Sequence, residues 1–574
     1  MQFRELASYL ERLEKTSSRN EITVILAELF KKSDSSEIDK TVYLLSGRLA
    51  PNYKGINFSI AEKMMFRVLA RAYGTEAEKI RQEFKKKGDL GAVAEELARG
   101  SKAGSGISVT DAYGEMLKAA MESGTDSQER KVADMSNLLG KVDPLSARYI
   151  ARIPVGNLRL GFSDMTTLDA LSVMVKGDKS ARREIEAAFN VNVDIGMIAQ
   201  KVRQKGLTSL KNIDPVPGTP LRPSLCERLP SAEKILEKVG SPLAVEPKYD
   251  GFRSQVHIFK ENGRKKITIF SRNLESTTAM FPDLVEAVKK INVESAILDG
   301  EAIGYDPKTD KFLPFQETIQ RKRKHGVEQA AQKLPLRLFL FDILSKNGKS
   351  LLGLPFSERR KILLETVSGK IQNVEVTRQE IVSDPDKIRD LIKQFLGEGL
   401  EGAVIKKLDA VYKTGARGYH WVKYKKTTEE GVADTVDCLV MGVNKGKGKR
   451  TGFGVGAFLV GIRDGSRFKT VSKIGTGLTD EQWRELDTRA RSLEVSQKPK
   501  EYEVHKNLEP DTWCKPSLVV EILADEITKS PIHAAGLALR FPRLIKFRDD
   551  KSPDLATSLK ELQHLFVMQK VTSS

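Results

Sequence analysis

Residues 245–259 read VEPKYDGFRSQVHIF. An apolar, strand-like stretch runs up to Lys248, and Asp250-Gly251 is a tight-turn dipeptide. Arg253 then returns on the next strand, so an amine, a carboxylate and a guanidinium are expected around one pocket mouth. A lysine amine is a good nucleophile only when deprotonated, and neighbouring cations or desolvation bring that about. A bare KxDG turns up by chance in roughly one chain in fifteen of this length. Most such matches are solvated surface hairpins, so the surrounding sequence has to decide.

Working outward, an ordered set of segments follows within one region of the chain. SRN (271–273) follows the strand-like KITIF. LDGE (298–301) ends another strand with two carboxylates. LFLFDIL (338–344) is an aromatic-rich buried strand holding Asp342. EGLEGAVIKK (398–407) puts Glu401 on a turn and Lys406 on a strand. RGYHWVKYKK (417–426) alternates, so Lys423 and Lys425 share one strand face while Val422 and Tyr424 share the other. Helical runs lie between the strands at 283–291 and 357–367, which predicts an α+β unit with a largely antiparallel sheet.

On either side the character changes. Residues 1–210 read as helix after helix, for example 21–32, 59–74, 79–86, 91–100, 111–124 and 180–190. The Gly/Ser-rich GSKAGSG (100–106) reads as a mobile loop inside that array. DPVPGTPLRP (214–223) has the Pro and Gly density of a linker. From about 428 onward, short strands surround a Gly/Lys hairpin loop, KGKGKR (445–450), and one helix, DEQWRELDTRARSL. That pattern predicts a small barrel of the OB type. The domains are therefore drawn at 1–213, 214–427 and 428–574.

The chain has 574 residues, of which 40% are hydrophobic and 30% charged, enough to build real cores. Its 95 Lys and Arg against 77 Asp and Glu give a net charge of +18, which favours a polyanionic partner, although a lysine-rich solvated surface has the same composition. The cysteines Cys226, Cys438 and Cys514 are isolated, which rules out a four-cysteine zinc site and argues against a disulfide framework. The six histidines show no HxxxH or HExxH spacing. No run of roughly 18 apolar residues suggests a membrane span. The opening MQFRELASYLERLEKTSS carries Glu5 and Glu11 and no apolar core, so no signal peptide is expected and a cytoplasmic, nucleoid-associated location is.

The ordered set KYDGFR, SRN, LDGE, FLFDIL, EGAVIKK and WVKYKK resembles the covalent nucleotidyltransferase superfamily. More narrowly, the chain resembles the ATP-dependent DNA ligases of the archaeal and eukaryotic replicative type. ALRFPRLIKFRDDK (538–551) is similar to their last motif, and SARYIARIPVGNLRLGFSD (146–164) to a signature of their helical DNA-binding domain. The resemblance implies an all-α N-terminal domain, an α+β nucleotidyltransferase core with antiparallel sheets and a C-terminal OB-fold β-barrel. It implies a protein that seals 5′-phosphate/3′-hydroxyl nicks in duplex DNA through lysyl-AMP, in replication, repair and recombination.

The resemblance also implies roles. Lys248 attacks the α-phosphate of ATP. Glu246 and the adjoining backbone read the adenine, and Phe341 stacks on it. Arg253 and Arg272 contact ribose or phosphate, Arg272 also meeting the 5′-phosphate of the nick. Glu301 binds the ribose or a metal, and Glu401 holds a divalent metal, Mg²⁺ or Mn²⁺. Lys423 and Lys425 clamp the α-phosphate with Arg417 just upstream, and these cations with Arg253 depress the pKa of Lys248. Arg540, Arg543 and Arg548 approach the pyrophosphate when the last domain closes. The motif usually has Arg where this chain has Lys546, which cannot make a bidentate phosphate contact, so Lys546 is left out. Phosphoryl transfer needs just this kind of positioning and charge neutralisation.

For DNA, the resemblance implies contacts by Arg148, Arg152 and Arg159, and Lys447 and Arg450 of the Gly/Lys loop suit a phosphate backbone. RKRKHG (321–326) reads equally as a nucleic-acid contact or a solvated loop. A sliding clamp is a family partner, without a clear binding motif here, and a monomer is the family expectation. Capping guanylyltransferases and RNA ligases share the KxDG core, but the long helical N-terminal region speaks against both. The missing zinc cysteines speak against an NAD-dependent ligase. A DNA-binding protein with a degenerate core would be expected to have lost the lysine or a metal carboxylate, and every charged residue of the core motifs is present.

Overall fold

The computed structural model describes residues 1–101, 106–323, 325–425, 435–446 and 454–571. Among the described residues, no helix is long and apolar enough to cross a membrane.

From Phe3 to Lys205 the chain is helical. Phe3, Leu6, Leu10 and Leu13, one stripe of the first helix, are buried in a single large core with residues from across this region. Local chemistry sets the helix starts. The Ser18 side chain accepts from Glu21 N–H ahead of Arg19–Lys32. The Asp143 carboxylate accepts from Leu145 and Ser146 N–H ahead of Pro144–Arg152, with Pro144 at the first helical position. Residues 102–105 of the Gly/Ser-rich stretch lie outside the described residues.

The Pro/Gly segment 214–223 is a fitted joint rather than a loose tether. Gly218 N–H donates to His257 Nδ1 (3.0 Å), and Leu221 exchanges two hydrogen bonds with the Gln255 amide (3.0 and 3.1 Å). Arg222 N–H donates to Asn190 O (2.8 Å), and its guanidinium lies 4.8 Å over the Phe189 ring of the helical region. His257 is fully buried, and burial pushes its pKa down to about 3.

The central region contains two sheets. The first is ordered Leu225–Arg228, Arg417–Lys425, Gly402–Lys407, Leu243–Lys248, Glu380–Val382. The second is ordered Arg264–Ser271, Phe252–Glu261, Ala296–Gly304, Leu336–Lys346, Lys349–Ser350, with Val374–Val376 beside Leu336–Lys346. All pairs are antiparallel except Leu225–Arg228 with Arg417–Lys425 and Val374–Val376 with Leu336–Lys346. Each sheet buries its outer face under helices. Val245, Ala403, Ile405 and Val422 pack with Ile235 of Ala232–Val239 and with Ile388 and Phe395 of Pro385–Gly397. Val256, Ile258, Leu298, Leu338 and Leu340 pack with Leu284 of Pro282–Lys289 and Leu363 of Phe356–Thr366. By the two-residue period, the residues between these face the other way.

The C-terminal region is rich in sheet. Its ladder runs Glu494–Val495, Thr512–Cys514, Val436–Lys445, Val455–Asp464, Arg467–Ile474, Tyr502–Glu503, and Val519–Leu523 pairs with both Val436–Lys445 and Arg543–Phe547. Among the described residues these pairings do not close into a ring, since two-residue strands end the ladder at both sides. Helix Asp480–Ser492 starts in a reciprocal Thr479/Gln482 capping box. A second helix, Leu559–Val571, corrects the expectation of one. Its Phe566-Val567-Met568 run spreads apolar residues around the axis and leaves no clean stripe to read. Lys447 and Arg450 lie outside the described residues.

Candidate active site

Residues 249–251 carry the chain from the end of Leu243–Lys248 in the first sheet to the start of Phe252–Glu261 in the second. The KxDG stretch is thus a crossover between sheets, not a hairpin within one. A Cβ on Gly251 would run into the Ala302 carbonyl, so only glycine lets the crossover pass this close. Gly402 has φ 134°, and a Cβ there would meet the Tyr424 carbonyl. This lets Glu401 turn in beside Lys248, where its N–H donates to Lys248 O (3.0 Å).

Register puts the chemistry on one face of the first sheet. Lys248 lies opposite Gly402, Glu246 opposite Val404, Val404 opposite Lys423, and Gly402 opposite Lys425. The Lys248 and Lys425 ammonium groups both pair with the Glu401 carboxylate. Burial and the charge of Lys248 push the Lys425 pKa down to about 8, and burial also lowers Lys423. Lys248 donates to Glu401.

Glu246 is 2% exposed. It accepts from Lys406 Nζ (2.7 Å) and Gln379 Nε2 (2.9 Å). Lys406 in turn lies 4.5–4.7 Å from the ring centroids of Phe341, Phe356 and Trp421 and donates to Phe341 O (3.0 Å).

The second sheet contributes Arg253, Glu301 and Phe341. Arg253 makes a two-pronged contact with fully buried Asp299 (3.0 and 2.6 Å) and donates to Ser224 O (2.8 Å). Burial opposes its charge, and Asp299 with Tyr412 more than offsets this, so its pKa rises. Its guanidinium lies 5.5 Å over Phe341 and 5.6 Å over Trp421. Arg253 is thus held by its own domain at the pocket wall. Glu301, half-buried, pairs in register with Arg253. Burial pushes its carboxyl up to about 7 against the pull of the Lys248 charge. Arg272 and Arg417 are exposed.

The C-terminal domain sits against this face. Arg228 at the sheet edge donates to Asp525 (3.2 Å), and Lys425 Nζ lies 5.8 Å from the Phe541 ring centroid. Arg540 packs on Phe541 (5.3 Å), and Arg543 pairs with Asp525. Arg548 is not part of this convergence. Asp437 (3.0 Å), Asp550 (2.7 Å) and Glu521 (3.5 Å) of its own domain hold it.

Two of the arginines expected at DNA are engaged within the helical region. Arg152 is 3% exposed, bound by Glu14 (2.7 and 3.1 Å) and by Asp89 (3.0 Å through Nε). Arg148 is turned toward Glu95 (2.6 Å) and Glu11 (3.6 Å). Both guanidiniums join helices inside the domain. Arg159, at φ 58°, is exposed, donates to Gly88 O (2.9 Å) and lies 4.0 Å from the Asp89 carboxylate. In RKRKHG, Arg321 is fully buried on Asp283 (2.6 Å), while Lys322 reaches Glu275 (3.4 Å) of the turn after SRN.

The sequence reading missed Tyr412, Gln379, Arg228, Asp525 and Phe541. Trp421 alone had a signal, since it alternates in phase with Lys423 and Lys425.

Three stretches match family descriptions: DNA ligase N terminus over residues 2–172, ATP dependent DNA ligase domain over 223–425, and ATP dependent DNA ligase C terminal region over 451–551. The chain is 43% identical over 581 residues to a probable DNA ligase of Dictyoglomus turgidum, 39% over 593 to DNA ligase 2 of Thermofilum pendens, and 37% over 595 to a DNA ligase of Sulfurisphaera tokodaii. Each match covers 99% of this chain and 98% of the relative. A solved structure named Pmar-Lig_Pre aligns with a TM-score of 0.53 at 17% identity, over 95% of this chain and 99% of that one, a likeness of fold. With all three regions matched in order and relatives aligned end to end, the chain belongs to the ATP-dependent DNA ligase family.

Proposed function

We propose that the protein seals nicks in duplex DNA by way of a lysyl-AMP intermediate, with Lys248 as the nucleophile. The observation that carries the reading is the convergence of Lys248, Glu401, Lys423 and Lys425 on one sheet face opposite Arg253, Glu301 and Phe341. On this reading Lys248 Nζ, freed of its proton, attacks the α-phosphorus of ATP. The N–P bond forms, the bond to the bridging oxygen breaks, and pyrophosphate leaves. A 5′-phosphate oxygen of the nick then displaces Lys248 from AMP, and the 3′-hydroxyl displaces AMP to form the phosphodiester.

Phosphoryl transfer through a loose transition state calls for charge neutralisation more than covalent help. Lys423 and Lys425 supply it at the α-phosphate, with Arg417 and Arg272 at the rim. Arg253 orients the ribose side, Phe341 faces the adenine, and Glu246 reads its edge. Arg540 and Arg543 serve the pyrophosphate in the closed state. The C-terminal unit, from about 428, acts as an OB-type module that docks for adenylation and turns for DNA, and the helical unit, to about 213, grips the duplex.

Mg²⁺ suits the residues present. Glu301 has no hydrogen-bond partner among the described residues and a carboxyl raised by burial, and Glu401 is drawn between two ammonium groups. These two carboxylates would hold the ion, which prefers oxygen ligands and would neutralise phosphate charge.

The test is labelling with α-³²P-ATP in Mg²⁺ beside Lys248→Ala, followed by nick sealing. Acid-labile label in the wild type, lost in Lys248→Ala while duplex binding persists, supports the reading. Label retained by Lys248→Ala would overturn it.

A further inference from the structure

The carboxylate of Glu246 lies on the same strand face as Lys248, two residues before it, and both its oxygens are in use. Lys406 Nζ takes Oε2 at 2.7 Å and Gln379 Nε2 takes Oε1 at 2.9 Å. Arg360, 9% exposed, brings Nη1 to 3.9 Å from the same Oε1, and that nitrogen has no hydrogen-bond partner. A carboxylate has about four acceptor sites, so two remain after these bonds. On the reading that Glu246 faces the base, what it offers is acceptor capacity, in a direction set by Lys406 and Gln379.

The segment that carries Gln379 is anchored two residues before it. Gln379 lies between Val374–Val376 and Glu380–Val382, and the anchor is Thr377. Thr377 N–H donates to Leu340 O (2.8 Å), Thr377 O accepts from Arg360, and Thr377 Oγ1 donates to Tyr249 Oη (3.4 Å). Tyr249 is stacked on Phe339 with ring centroids 4.0 Å apart. The Gln379 amide is a neutral donor. A carboxylate in its place would face Glu246 with like charge.

We propose that Gln379 is a positioning residue for base recognition: it fixes Glu246 as the acceptor for the exocyclic amino group of a 6-aminopurine and so sets the preference over 6-oxopurines. The proposal rests on the reading above that Glu246 faces the base. A 6-amino N–H donates to the carboxylate, whereas a 6-oxo group would set oxygen against oxygen. A site built around such a hydrogen bond discriminates strongly, because the mismatched ligand leaves buried polar groups unpaired.

The experiment measures kcat/KM for self-adenylation of the full chain with ATP, with GTP and with purine riboside triphosphate, which lacks any 6-substituent. Gln379→Met keeps the length and removes the donor. It should lower the value for ATP about tenfold and leave purine riboside triphosphate within about twofold. Gln379→Glu, a second route to the same ratio should Gln379→Met misfold, should erode the ATP preference further. An equal loss with all three nucleotides would make Gln379 merely structural and overturn the proposal, as would no change. Glu246→Ala, which removes the acceptor altogether, separates the two levels of the argument. If it keeps the full preference for ATP over purine riboside triphosphate, the base reading fails and the proposal with it. If it loses that preference while Gln379→Met does not, only the proposal fails.

Discussion

Arg228, on the edge strand of the catalytic sheet, donates to Asp525 of the C-terminal domain at 3.2 Å, and the same carboxylate pairs with Arg543 of the last motif. One acidic side chain thus links domain closure to an arginine proposed to serve the pyrophosphate. The pair is partly solvated, so its contribution is modest. Arg228→Ala should slow adenylation by ATP roughly two- to fivefold. Sealing of a nick that already carries AMP should be unchanged, because that step does not need this docked face. Comparing ATP with pre-adenylated nicked DNA as substrate checks it, and an equal effect on both would show that Arg228 acts elsewhere.

Asp342 and Arg359 are both fully buried and form a two-pronged ion pair (2.8 and 3.0 Å). Asp342 also caps Ile343 N–H (2.9 Å), so this acid of the LFLFDIL strand is structural. Breaking one side of a buried pair leaves an uncompensated charge and costs about 3–5 kcal/mol. Asp342→Ala should lower the thermal midpoint clearly. Its adenylation rate per folded molecule, corrected by active-site titration, should stay near wild type.

The two-residue alternation was the most legible part of the site. WVKYKK placed Lys423 and Lys425 on one face, and the pocket was drawn from such strands. What escaped was whatever depended on residues far apart in the chain. Glu246 and Gln379 are 133 residues apart, and Arg152 and Glu14 are 138. Gln379 and Tyr412 lie outside the periodic runs, so no pattern marks them. Arg152 sits on an amphipathic helix, where the ordinary expectation for arginine is solvent; only the packing of three helices turns it inward. A turn dipeptide such as Asp250-Gly251 does not reveal whether the strands it joins share a sheet, so nothing in the sequence marks 249–251 as a crossover.

The domain joint should be acid-sensitive. His257 is neutral when buried, and its Nδ1 accepts from Gly218 N–H. Its pKa is about 3 in the fold against about 6.5 when unfolded, so between these values the unfolded chain binds the extra proton. Stability from this group is complete above about pH 6.5 and is lost as the pH falls toward 3, by up to about 1.4 kcal/mol per unit. Thermal midpoints from pH 7 to 4 should fall less steeply for His257→Gln than for the wild type. Parallel slopes would remove His257 from the account.

Arg159 and Arg152 share a segment but should separate cleanly in experiment. Arg152 is enclosed by Glu14 and Asp89, and Arg152→Ala would leave buried Asp89 with only the Gly91 N–H and the more distant Arg159, at a cost of about 3–5 kcal/mol. Arg159 has 42% of its side chain exposed, one hydrogen bond to a backbone carbonyl and a long 4.0 Å approach to Asp89, so its loss should cost little stability. Each phosphate contact releases a counterion on binding, which is what gives duplex affinity its salt dependence. Arg159→Ala should therefore weaken nicked-duplex binding and reduce the slope of log affinity against log salt by about one unit, with the melting temperature preserved. Arg152→Ala should lower the melting temperature and, measured where it is folded, keep the wild-type slope. A reduced slope in Arg152→Ala with an unchanged one in Arg159→Ala would mean that the DNA meets a different face of the helical domain.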